Sequence, residues 1–456
     1  MFPSAVLRVS FRTFGCKLNQ AETESIADSF ALAGATIVPA GQNADVVVFN
    51  TCTVTSKAEQ KARREVRLAL RLNPDTVAIV TGCYAELEPG AVAAVAPRAV
   101  VIPGSRKAGL RAMAAGLVAA RTEGLDLLDE ARRLAAQASG KVPDPFAFLP
   151  GDDLFHARPQ LKIQDGCDNH CSYCRVCLAR GPSISLDPAQ VLSRVAALAA
   201  SGVPETVLTG VNLSGYRSGG LDFPGLLETL IGGTQGIAFR ISSYEPDRVD
   251  GSFARAFASP RVRPHLHLSV QSGSDSVLRA MGRHYGREAV LRAADAVRSV
   301  RADPFIGADL IFGFPGETDA DFQQTVDLIE RLEPACIHAF TFSPRPGTPA
   351  FFMKPCVPER IAVERAAIVQ ALSDRNKAAF TARRLGCTLE AVVEFHGKPD
   401  PVTGFVHATS AEYLKLAVSG LPPGFRGSFT STALSASGRE SAEHIPDLRT
   451  QYCTRN

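Results

Sequence analysis

The sequence predicts an α/β protein of three domains: an N-terminal open parallel α/β sheet, a central partial (βα)6 barrel and a small C-terminal β-barrel. Strand and helix patterns alternate through the first 120 residues and again from residue 158 to about 345, which is typical of parallel sheets covered by helices. After Gly386 the pattern changes to short strands separated by glycine and proline turns. The expected boundaries are 1–120 for the first domain, 121–157 for a linker, 158–375 for the barrel, 376–440 for the third domain and 441–456 for a loose tail.

The first domain is predicted to alternate strands with helices. The run ADVVVFNT at 44–51 is almost continuously apolar and β-branched, as in a strand buried on both faces. A helix is expected from Ser56 to Leu72, because Ser56 and Glu59 have the spacing of a capping box and Asn73 is followed by a proline that stops the pattern. The other predicted elements are strands at 7–14, 76–82 and 99–104 and a helix at 22–34.

The second domain contains six strand candidates separated by helical segments such as 188–202 and 319–332. The strand candidates are 161–165, 205–210, 239–245, 265–270, 305–313 and 336–342. Six βα units fit a partial barrel, whose functional site is expected at the carboxyl ends of the strands. A long helix from Pro358 to Leu385 leads into the third domain, where turn signals about every 8–12 residues predict a small barrel.

The composition excludes several classes of protein. Hydrophobic residues make up 45% and charged residues 21%, as in ordinary globular proteins. We expect no membrane association and a cytoplasmic location, because the sequence has no run of about 18 apolar residues and no signal peptide pattern. The net charge of +3 permits a nucleic-acid partner without arguing for one. Eleven cysteines without a secretion signal favour metal or cluster ligation over disulfides.

Three of the cysteines lie in one loop. Cys167, Cys171 and Cys174 form a C-x3-C-x2-C array directly after a predicted strand. This spacing lets one loop wrap three thiolates around three irons of a 4Fe–4S cube and leaves the fourth iron open to another ligand. A zinc site is the alternative, since Cys177 adds a fourth cysteine, but zinc sites usually use two pairs separated by a longer spacer.

Three other cysteines each follow a predicted strand of the first domain. Cys16, Cys52 and Cys83 each lie beside a glycine or a threonine. Because the carboxyl ends of parallel strands share one edge of a sheet, these residues are expected to converge. The alternative is that each is an ordinary small buried residue, as free cysteines often are. Three together at three strand ends would suit a second cluster with one open iron, and the spacing alone leaves both interpretations open.

These motifs resemble those of the radical S-adenosylmethionine (SAM) methylthiotransferases. The loop DGCDNHCSYC, in which Tyr173 precedes the third cysteine, is similar to their radical SAM motif, and the segments TFGCKLNQAETE and NTCTVTSKAEQKARR are similar to their amino-terminal domain. The resemblance covers about residues 7–435 and implies two 4Fe–4S clusters and SAM. It also implies that an adenosyl radical removes hydrogen from adenine C2 and that a methylated sulfur from the second cluster takes its place.

The sequence departs from the family directly after the third cysteine of the loop. The family typically has Ile-Ile-Pro where this chain has Arg175, Val176 and Cys177. Cys177 makes a second ligand register possible, Cys171 with Cys174 and Cys177, and it could also close the open iron. The competing hypothesis is therefore an iron–sulfur RNA-binding protein without radical turnover.

The motif GCKLNQ at residues 15–20 resembles the branch of the family that acts on N6-threonylcarbamoyladenosine at position 37 of tRNA, beside the anticodon. The isopentenyladenosine branch typically has Gln-Met-Asn after the cysteine, and the branch that modifies an aspartate of a ribosomal protein has Pro-Lys-Asn. These two branches are the alternatives within the family. The resemblance also implies an electron donor and a sulfur source as partners.

Strand ends supply the residues that the resemblance assigns to SAM. Together with Tyr173 they are Thr209, Gly210, Ser242, Glu245 and Gln271. The basic helix after Cys52 is a candidate for the anticodon-arm backbone, because phosphate contacts position RNA without reading its sequence. The C-terminal barrel resembles the TRAM module, an RNA-binding fold. The candidate RNA contacts are Lys57, Lys61 and Arg64 on the helix and Lys398, Lys415 and Arg426 in the third domain.

Overall fold

The computed structural model describes residues 6–95, 98–137, 144–149, 158–394, 397–422, 424–425, 427–436 and 448–452. The predicted fold class is confirmed: a parallel α/β sheet is followed by a six-stranded partial barrel and a small β-barrel. Within the part of the chain that the structure describes, no helix combines the length and the apolar character needed to cross a bilayer.

The first domain is a five-stranded sheet in which all strands are parallel, in the order β2-β1-β3-β4-β5. Its strands are β1 (Arg8–Thr13), β2 (Thr36–Ile37), β3 (Val46–Thr51), β4 (Val77–Gly82) and β5 (Ala99–Val101). Its helices are α1 (Lys17–Leu32), α2 (Ser56–Leu72), α3 (Cys83–Leu87), α4 (Pro89–Ala93), α5 (Leu110–Glu123) and α6 (Leu127–Gln137), with a 3-10 turn at Gly104–Gly109. Every residue of β3 and β4 is buried, as their apolar runs predict.

Helix α2 begins at Ser56 as predicted, but the predicted capping box is wrong. The N-cap is Thr55, whose hydroxyl accepts from the backbone N–H of Ala58 at 3.1 Å. Glu59 does not turn back to the cap; its carboxylate accepts from the hydroxyl of Thr53 at 2.6 Å and forms an ion pair with Arg345 of the second domain. The carboxylate therefore holds two domains together and is not available for the helix end.

The expected linker at 121–157 instead contains α6. Leu128 and Ala131 on this helix, and Phe148 beyond it, are buried in the core of the first domain. The amphipathic pattern of α6 was too short to stand out in the sequence, because its apolar face is only about two turns long. The first domain thus includes residues beyond its expected end at 120.

The second domain is built from two parallel sheets that continue one another. The order β12-β9-β6 meets the order β13-β14-β15-β16 where β12 and β13 follow each other in the chain, which gives six parallel strand positions. The barrel strands are β6 (Gln160–Lys162), β9 (Glu205–Thr209), β12 (Ala238–Ile241), β13 (Ser243–Tyr244), β14 (His265–Gln271), β15 (Phe305–Phe312) and β16 (Cys336–Thr341). Two short pairs lie outside it: β7 (Gln164–Asp165) with β8 (Ile184–Ser185), and β10 (Arg217–Ser218) with β11 (Leu221–Asp222).

Helices cover the outside of this barrel, and the largest apolar core of the protein lies between them and the strands. They are α7 (Val176–Arg180), α8 (Pro188–Ala200), α9 (Phe223–Gly233), α10 (Gly251–Phe257), α11 (Asp275–Ala280), α12 (Arg287–Val300), α13 (Asp319–Leu332) and α14 (Glu359–Ala382), with 3-10 turns at Leu213–Gly215, Pro246–Arg248 and Pro349–Phe351. Helix α14 extends past the expected boundary at 375 and connects the barrel to the third domain.

The third domain is a five-stranded closed barrel in the order β17-β18-β19-β21-β20. Its strands are β17 (Thr388–Val393), β18 (Val406–Ser410), β19 (Lys415–Ser419), β20 (Ser428–Ala436) and β21 (Leu448–Tyr452). The last strand lies in the segment expected to be a loose tail, and it pairs with β19 and β20. This strand closes the barrel. Because it pairs with β19 on one side and with β20 on the other, neither of those strands is left with an unpaired edge.

Candidate functional site

The three cysteines of the radical SAM motif lie in the loop between β7 and α7. Gly166 opens the loop with φ +70°, and a Cβ at this position would lie 1.9 Å from the carbonyl oxygen of Pro182. Backbone bonds fix the loop further: the N–H of Cys167 donates to the carbonyl of Gly181 at 3.2 Å, and that of Cys174 to the carbonyl of Cys171 at 3.0 Å. We call Cys167, Cys171 and Cys174 the loop site.

Donors from the barrel approach the sulfur atoms of the loop site. The guanidinium of Arg283 lies 3.1 Å from Sγ of Cys171, and the side-chain amide of Asn212 lies 3.9 Å from Sγ of Cys167. Burial raises the pKa of Cys174 to about 12, against the effect of the Val176 N–H that donates to its sulfur. Without a metal the neutral thiol of Cys174 is therefore favoured, and a bound iron would stabilise its thiolate.

The other three cysteines converge at one edge of the first domain, as predicted. They follow the adjacent strands β1, β3 and β4. Gly15 has φ +93°, and a Cβ there would lie 2.7 Å from Sγ of Cys52. Gly82 has φ +99°, and a Cβ there would lie 2.3 Å from the carbonyl oxygen of Thr51. We call Cys16, Cys52 and Cys83 the sheet-edge site, and only glycine fits beside it at both positions.

The sheet-edge site is a desolvated environment. Cys52 and Cys83 are buried, whereas Cys16 keeps an accessible surface. Burial raises the pKa of Cys52 to about 12. The surrounding protein also raises the pKa of Cys16 by desolvation, although the positive charge of Arg180 opposes this shift. The negative charges of the three thiolates would repel one another, so a cation is required to hold them together.

The spacing of the sulfur atoms bears on the zinc alternative. In the described residues, neither cysteine triplet brings its three sulfur atoms within 4.8 Å of one another. Sulfur ligands of one zinc ion lie about 2.3 Å from the metal, so no two of them can be more than about 4.6 Å apart. Neither triplet therefore has the spacing that a single zinc ion needs.

Arg180, which the sequence analysis did not assign to the site, connects the two cysteine sites. It ends helix α7, directly after the loop site, and its positive charge acts on Cys16 and Cys83. Its guanidinium donates to Asp165 at 2.9 Å and to the side-chain oxygen of Asn19 at 2.7 Å. One arginine thus lies between the cluster loop of the barrel and the sheet edge of the first domain.

A buried carboxylate on α1 completes this connection. Glu22 is 2% exposed and accepts from Arg180 at 3.0 Å, Lys107 at 2.6 Å and Lys162 at 2.8 Å. Burial alone would raise the pKa of Glu22, but the three cations hold it well below its ordinary value. Because Glu22 lies in the first domain and Lys162 in the barrel, the ion cluster fixes the relative position of the two cysteine sites.

The two unusual residues after the third loop cysteine have defined places. Arg175 is buried and does not point at the loop site; it forms ion pairs with Glu88 at 2.8 Å and Glu59 at 3.5 Å in the first domain. Cys177 lies in the first turn of α7, and its thiol donates to the carbonyl of Cys174 at 3.8 Å. Arg175 therefore acts as an interdomain contact, and the Cys177 thiol is directed at the backbone.

The residues expected to contact SAM are distributed unevenly around the loop site. Glu245 lines a cavity of about 70 Å³ together with Asn169, Asn212 and Arg283. The cavity is thus next to the loop site, because Asn212 and Arg283 also contact its sulfur atoms. Burial raises the pKa of Glu245, against the opposing charge of Arg283, with which it forms an ion pair.

The other residues predicted to contact SAM lie near the strand ends, and most of them are buried or closely packed against neighbouring residues. Thr209 and Ser242 are buried, and Gly210 packs so closely on Gln164 that a Cβ would lie 2.8 Å from its side-chain oxygen. Gln271 ends β14 with φ +66° and is half-buried. Tyr173 packs edge-on against Phe314, with ring centroids 6.5 Å apart. Sequence reasoning missed Arg283, which belongs to no motif that we recognised and is brought to the site by the turn after α11.

The basic residues of α2 form one exposed stripe. Lys57, Lys61 and Arg64 are exposed, and within the described part of the chain none has an ion-pair partner. Lys398 is also exposed, whereas Lys415 is ion-paired with Glu394 at 2.9 Å. Arg426 lies outside the described residues.

Two family profiles match the chain. The uncharacterized protein family UPF0004 matches residues 8–104, which carry the sheet-edge site. The radical SAM superfamily matches residues 161–329, which carry the loop site. The match supports the assignment of SAM and a 4Fe–4S cluster to the second domain.

Curated relatives match along most of the chain. A threonylcarbamoyladenosine tRNA methylthiotransferase of Treponema pallidum is 43% identical and covers 85% of this chain and 91% of its own length. A protein of the same name from Thermotoga maritima is 34% identical over 87% of this chain and 89% of its own. A tRNA-2-methylthio-N6-dimethylallyladenosine synthase of Ralstonia pickettii is 33% identical over 91% of each.

Solved structures show the same fold at low sequence identity. The radical SAM methyltransferase TsrM of Kitasatospora setae, with cobalamin and a [4Fe–4S] cluster bound, has a TM-score of 0.51 and 16% identity, and the match covers 76% of this chain and 77% of that one. The two profiles, the relatives and the loop geometry agree, and the chain belongs to the radical SAM methylthiotransferase family.

Proposed function

We propose that this protein converts N6-threonylcarbamoyladenosine at position 37 of tRNA to its 2-methylthio derivative. The observation that carries the proposal is the pairing of the loop site and the sheet-edge site around Arg180. Two cysteine sites held next to each other by the ion cluster of Arg180 and Glu22 suit a reaction that needs both a radical and a sulfur atom at one carbon. The GCKLNQ motif at 15–20 and the Treponema and Thermotoga relatives favour the threonylcarbamoyl branch.

In this proposal each site holds one 4Fe–4S cluster and SAM lies beside the loop site. Such a cluster with SAM supplies the electron that breaks a C–S bond of SAM and yields a 5′-deoxyadenosyl radical. Arg283 stabilises the thiolate of Cys171 and holds Glu245 at the cavity wall. Glu245 and Asn169, 3.2 Å apart, offer an acceptor and a donor to the amino and carboxylate groups of SAM.

The first domain serves to hold the sulfur. Gly15 and Gly82 allow three thiolates to approach one edge of the sheet, and the Glu22 ion cluster fixes that edge against the barrel. Positioning adenine C2 between the two sites converts a reaction of several partners into one within a single complex, which is a large share of what an enzyme can contribute.

We also propose that α2 binds the phosphate backbone of the anticodon arm. The stripe of Lys57, Lys61 and Arg64 has no competing carboxylate partner in the described residues, so its charges are available for phosphates. Lys398 in the third domain is a second contact, and Lys415 is a weaker one because Glu394 already pairs with it. We place the protein in the cytoplasm with its tRNA substrate, an electron donor and a sulfur source.

The test uses protein purified without oxygen, SAM, a reductant and synthetic anticodon stem–loops with either threonylcarbamoyladenosine or isopentenyladenosine. We expect a methylthio product with the first RNA, measured by mass spectrometry of the nucleosides. Product with only the isopentenyl RNA would assign the protein to the other tRNA branch. Absence of 5′-deoxyadenosine from both the native chain and a Cys177→Ala variant would overturn radical turnover and leave an RNA-binding protein.

A further inference from the structure

The lumen of the barrel contains polar side chains that the proposed chemistry does not use. On β14, β15 and β16 the residues alternate between the outer helices and the lumen: Leu268 and Ala308 belong to the outer core, whereas His267, Asp309 and His338 form a cluster on the inner side. The lumen lies below the carboxyl ends of the strands, where the loop site is, and is therefore the space next to the reacting centre.

The carboxylate in this cluster is already neutralised. Oδ1 of Asp309 lies 2.9 Å from Nε2 of His267 and 3.0 Å from Nδ1 of His338. Gly307 provides the room for this arrangement, since a Cβ there would lie 2.5 Å from Nδ1 of His267. The hydrogen bond to Asp309, followed by one to Cys336, raises the pKa of His338 to about 10. At neutral pH the cluster therefore has no negative charge to offer to a further cation.

The carboxylate at the lower end of the lumen is occupied as well. Glu205 is buried and lies 2.6 Å from Arg240 and 2.7 Å from Arg263. Arg240 also donates to the carbonyl of Ala411 in the third domain at 3.1 Å. Arg263 also pairs with Glu390 at 2.8 Å. The carboxylates at this end of the lumen are therefore already matched by arginines.

Lys17 is a cation near this end of the lumen that has no anionic partner. Its side chain projects from the start of α1 toward this region, and in the described residues its Nζ has neither an ion pair nor a hydrogen bond. Nζ lies 5.5 Å from the centroid of the Tyr413 ring. A half-buried ammonium without an anionic partner favours an anionic ligand.

Tyr413 reaches this position by a strained backbone. It lies in the hairpin between β18 and β19 of the third domain with φ +76°, a conformation that costs a non-glycine residue energy and is found mostly where function requires it. Arg240 lies 5.2 Å and Arg158 5.9 Å from its ring centroid. Their charges and that of Lys17, which has the largest effect, lower the pKa of Tyr413.

We propose that Lys17, with Tyr413 beside it, binds the carboxylate of the threonylcarbamoyl group of the substrate, an inference that rests on the proposed function. The threonylcarbamoyl group has a carboxylate and a hydroxyl, whereas an isopentenyl group has neither and would leave Lys17 unpaired. The position also fits the chemistry: Lys17 directly follows Cys16 of the sheet-edge site, and the ring nitrogen N1 of adenine is bonded both to C2 and to C6, which carries N6. A site for the N6 substituent must therefore lie close to the sulfur that C2 receives.

The experiment compares two anticodon stem–loops, one with threonylcarbamoyladenosine and one with its methyl ester, in which the carboxylate is blocked. We expect kcat/KM of the native protein to be on the order of 10- to 100-fold higher for the acid than for the ester, as for one hydrogen bond to a charged group. Lys17→Met should remove this preference by lowering kcat/KM for the acid only, and Lys17→Arg should restore part of it. Lys377→Met, on α14 outside the barrel, is the matched control.

The iron content of Lys17→Met is measured beside that of the native protein, because residue 17 directly follows Cys16 and damage to the sheet-edge site must be distinguished from loss of carboxylate binding. Equal kcat/KM for acid and ester in the native protein would overturn the inference, and this comparison needs no variant to fold. A preference for the acid that persists in Lys17→Met would overturn the role of Lys17. If the native protein modified the isopentenyladenosine stem–loop and not the threonylcarbamoyladenosine stem–loop, the proposed function itself would be overturned.

Discussion

The loop site and the sheet-edge site each contain three cysteine thiols, but the chain brings them together in two different ways. The loop site takes all three from one stretch of eight residues, and a single glycine and a few backbone bonds define it. The sheet-edge site takes one thiol from each of three strands that are far apart in sequence. The first depends on local conformation and the second on the whole parallel sheet. Changes to the sheet or its docking should therefore damage the second site first.

The largest expected effect comes from removing one cysteine from each site, because the two losses should stop different steps of the reaction. Cys171→Ala and Cys52→Ala should each reduce the iron content from about eight to about four per chain. Cys171→Ala should abolish 5′-deoxyadenosine formation, because SAM is cleaved at the loop site. Cys52→Ala should keep that activity and lose methylthio transfer. Iron analysis and mass spectrometry of the products measure both, and complete loss of SAM cleavage in Cys52→Ala would show that the sites are not independent.

The next effect concerns the ion cluster between the two sites. Glu22→Gln leaves Arg180, Lys107 and Lys162 without their shared charge, and we expect it to lower the free energy of unfolding by about 3–5 kcal/mol, as for a broken buried pair. Urea denaturation measures the change. Glu330→Gln, which breaks an exposed pair with Arg375, is the control and should cost less than about 1 kcal/mol.

The contribution of Glu22 should also depend on pH. Its pKa is lower in the folded protein than in the unfolded chain, where it is about 4.3. The stabilisation is therefore fully present above that value and is lost as the pH falls through the lower folded pKa. The difference in unfolding free energy between the native protein and Glu22→Gln should stay constant from pH 7 to about pH 5 and shrink below about pH 4. A difference that grew toward acid would contradict this assignment.

A smaller effect tests the dependence of the sheet-edge site on its glycines. Gly82→Ala places a Cβ 2.3 Å from the Thr51 carbonyl at φ +99°, and we expect a cost of about 1–3 kcal/mol. Iron should be lost from the sheet-edge site only, so that SAM cleavage persists. Gly90→Ala has open space around its Cβ and should leave stability and iron content unchanged or slightly improved. Retention of all iron in Gly82→Ala would mean that the strand end can adjust.

The smallest expected effect is at the contact between the loop and the first domain. Arg175→Met removes the ion pairs with Glu88 and Glu59, of which Glu88 is partly exposed and can be hydrated. We expect a loss of about 1 kcal/mol in unfolding free energy with both clusters retained. Calorimetry and iron analysis measure this. Loss of the loop-site cluster in Arg175→Met would indicate instead that this residue supports the cluster directly.

The fold and the six cysteines could be predicted because each depends on a pattern that the sequence displays directly. Alternation of apolar strands with amphipathic helices predicted both parallel sheets, and the strand ends predicted where Cys16, Cys52 and Cys83 meet. The C-x3-C-x2-C spacing of the loop cysteines is visible directly in the sequence and predicted the loop site. These features were predictable because they follow from the periodicity of apolar residues and from the spacing of cysteines along the chain.

The interdomain contacts could not be predicted in the same way. Glu59 fitted a capping box in sequence but pairs with Arg345, 286 residues away. Arg283 and Tyr413 carry no local pattern, because their partners come from distant parts of the chain. The strand β21 was missed because it completes a barrel whose need for a fifth strand appears only once the other four are placed.

The hairpin that carries Tyr413 closes the lower mouth of the barrel, where Arg240 and His265 are fully buried beneath it. Because the active site of such a barrel lies at the carboxyl ends of its strands, SAM and the nucleoside bind at the end opposite this hairpin under the proposed function. The second SAM of each cycle can then bind only after the products of the first have left, so product release contributes to the rate at which a base is modified.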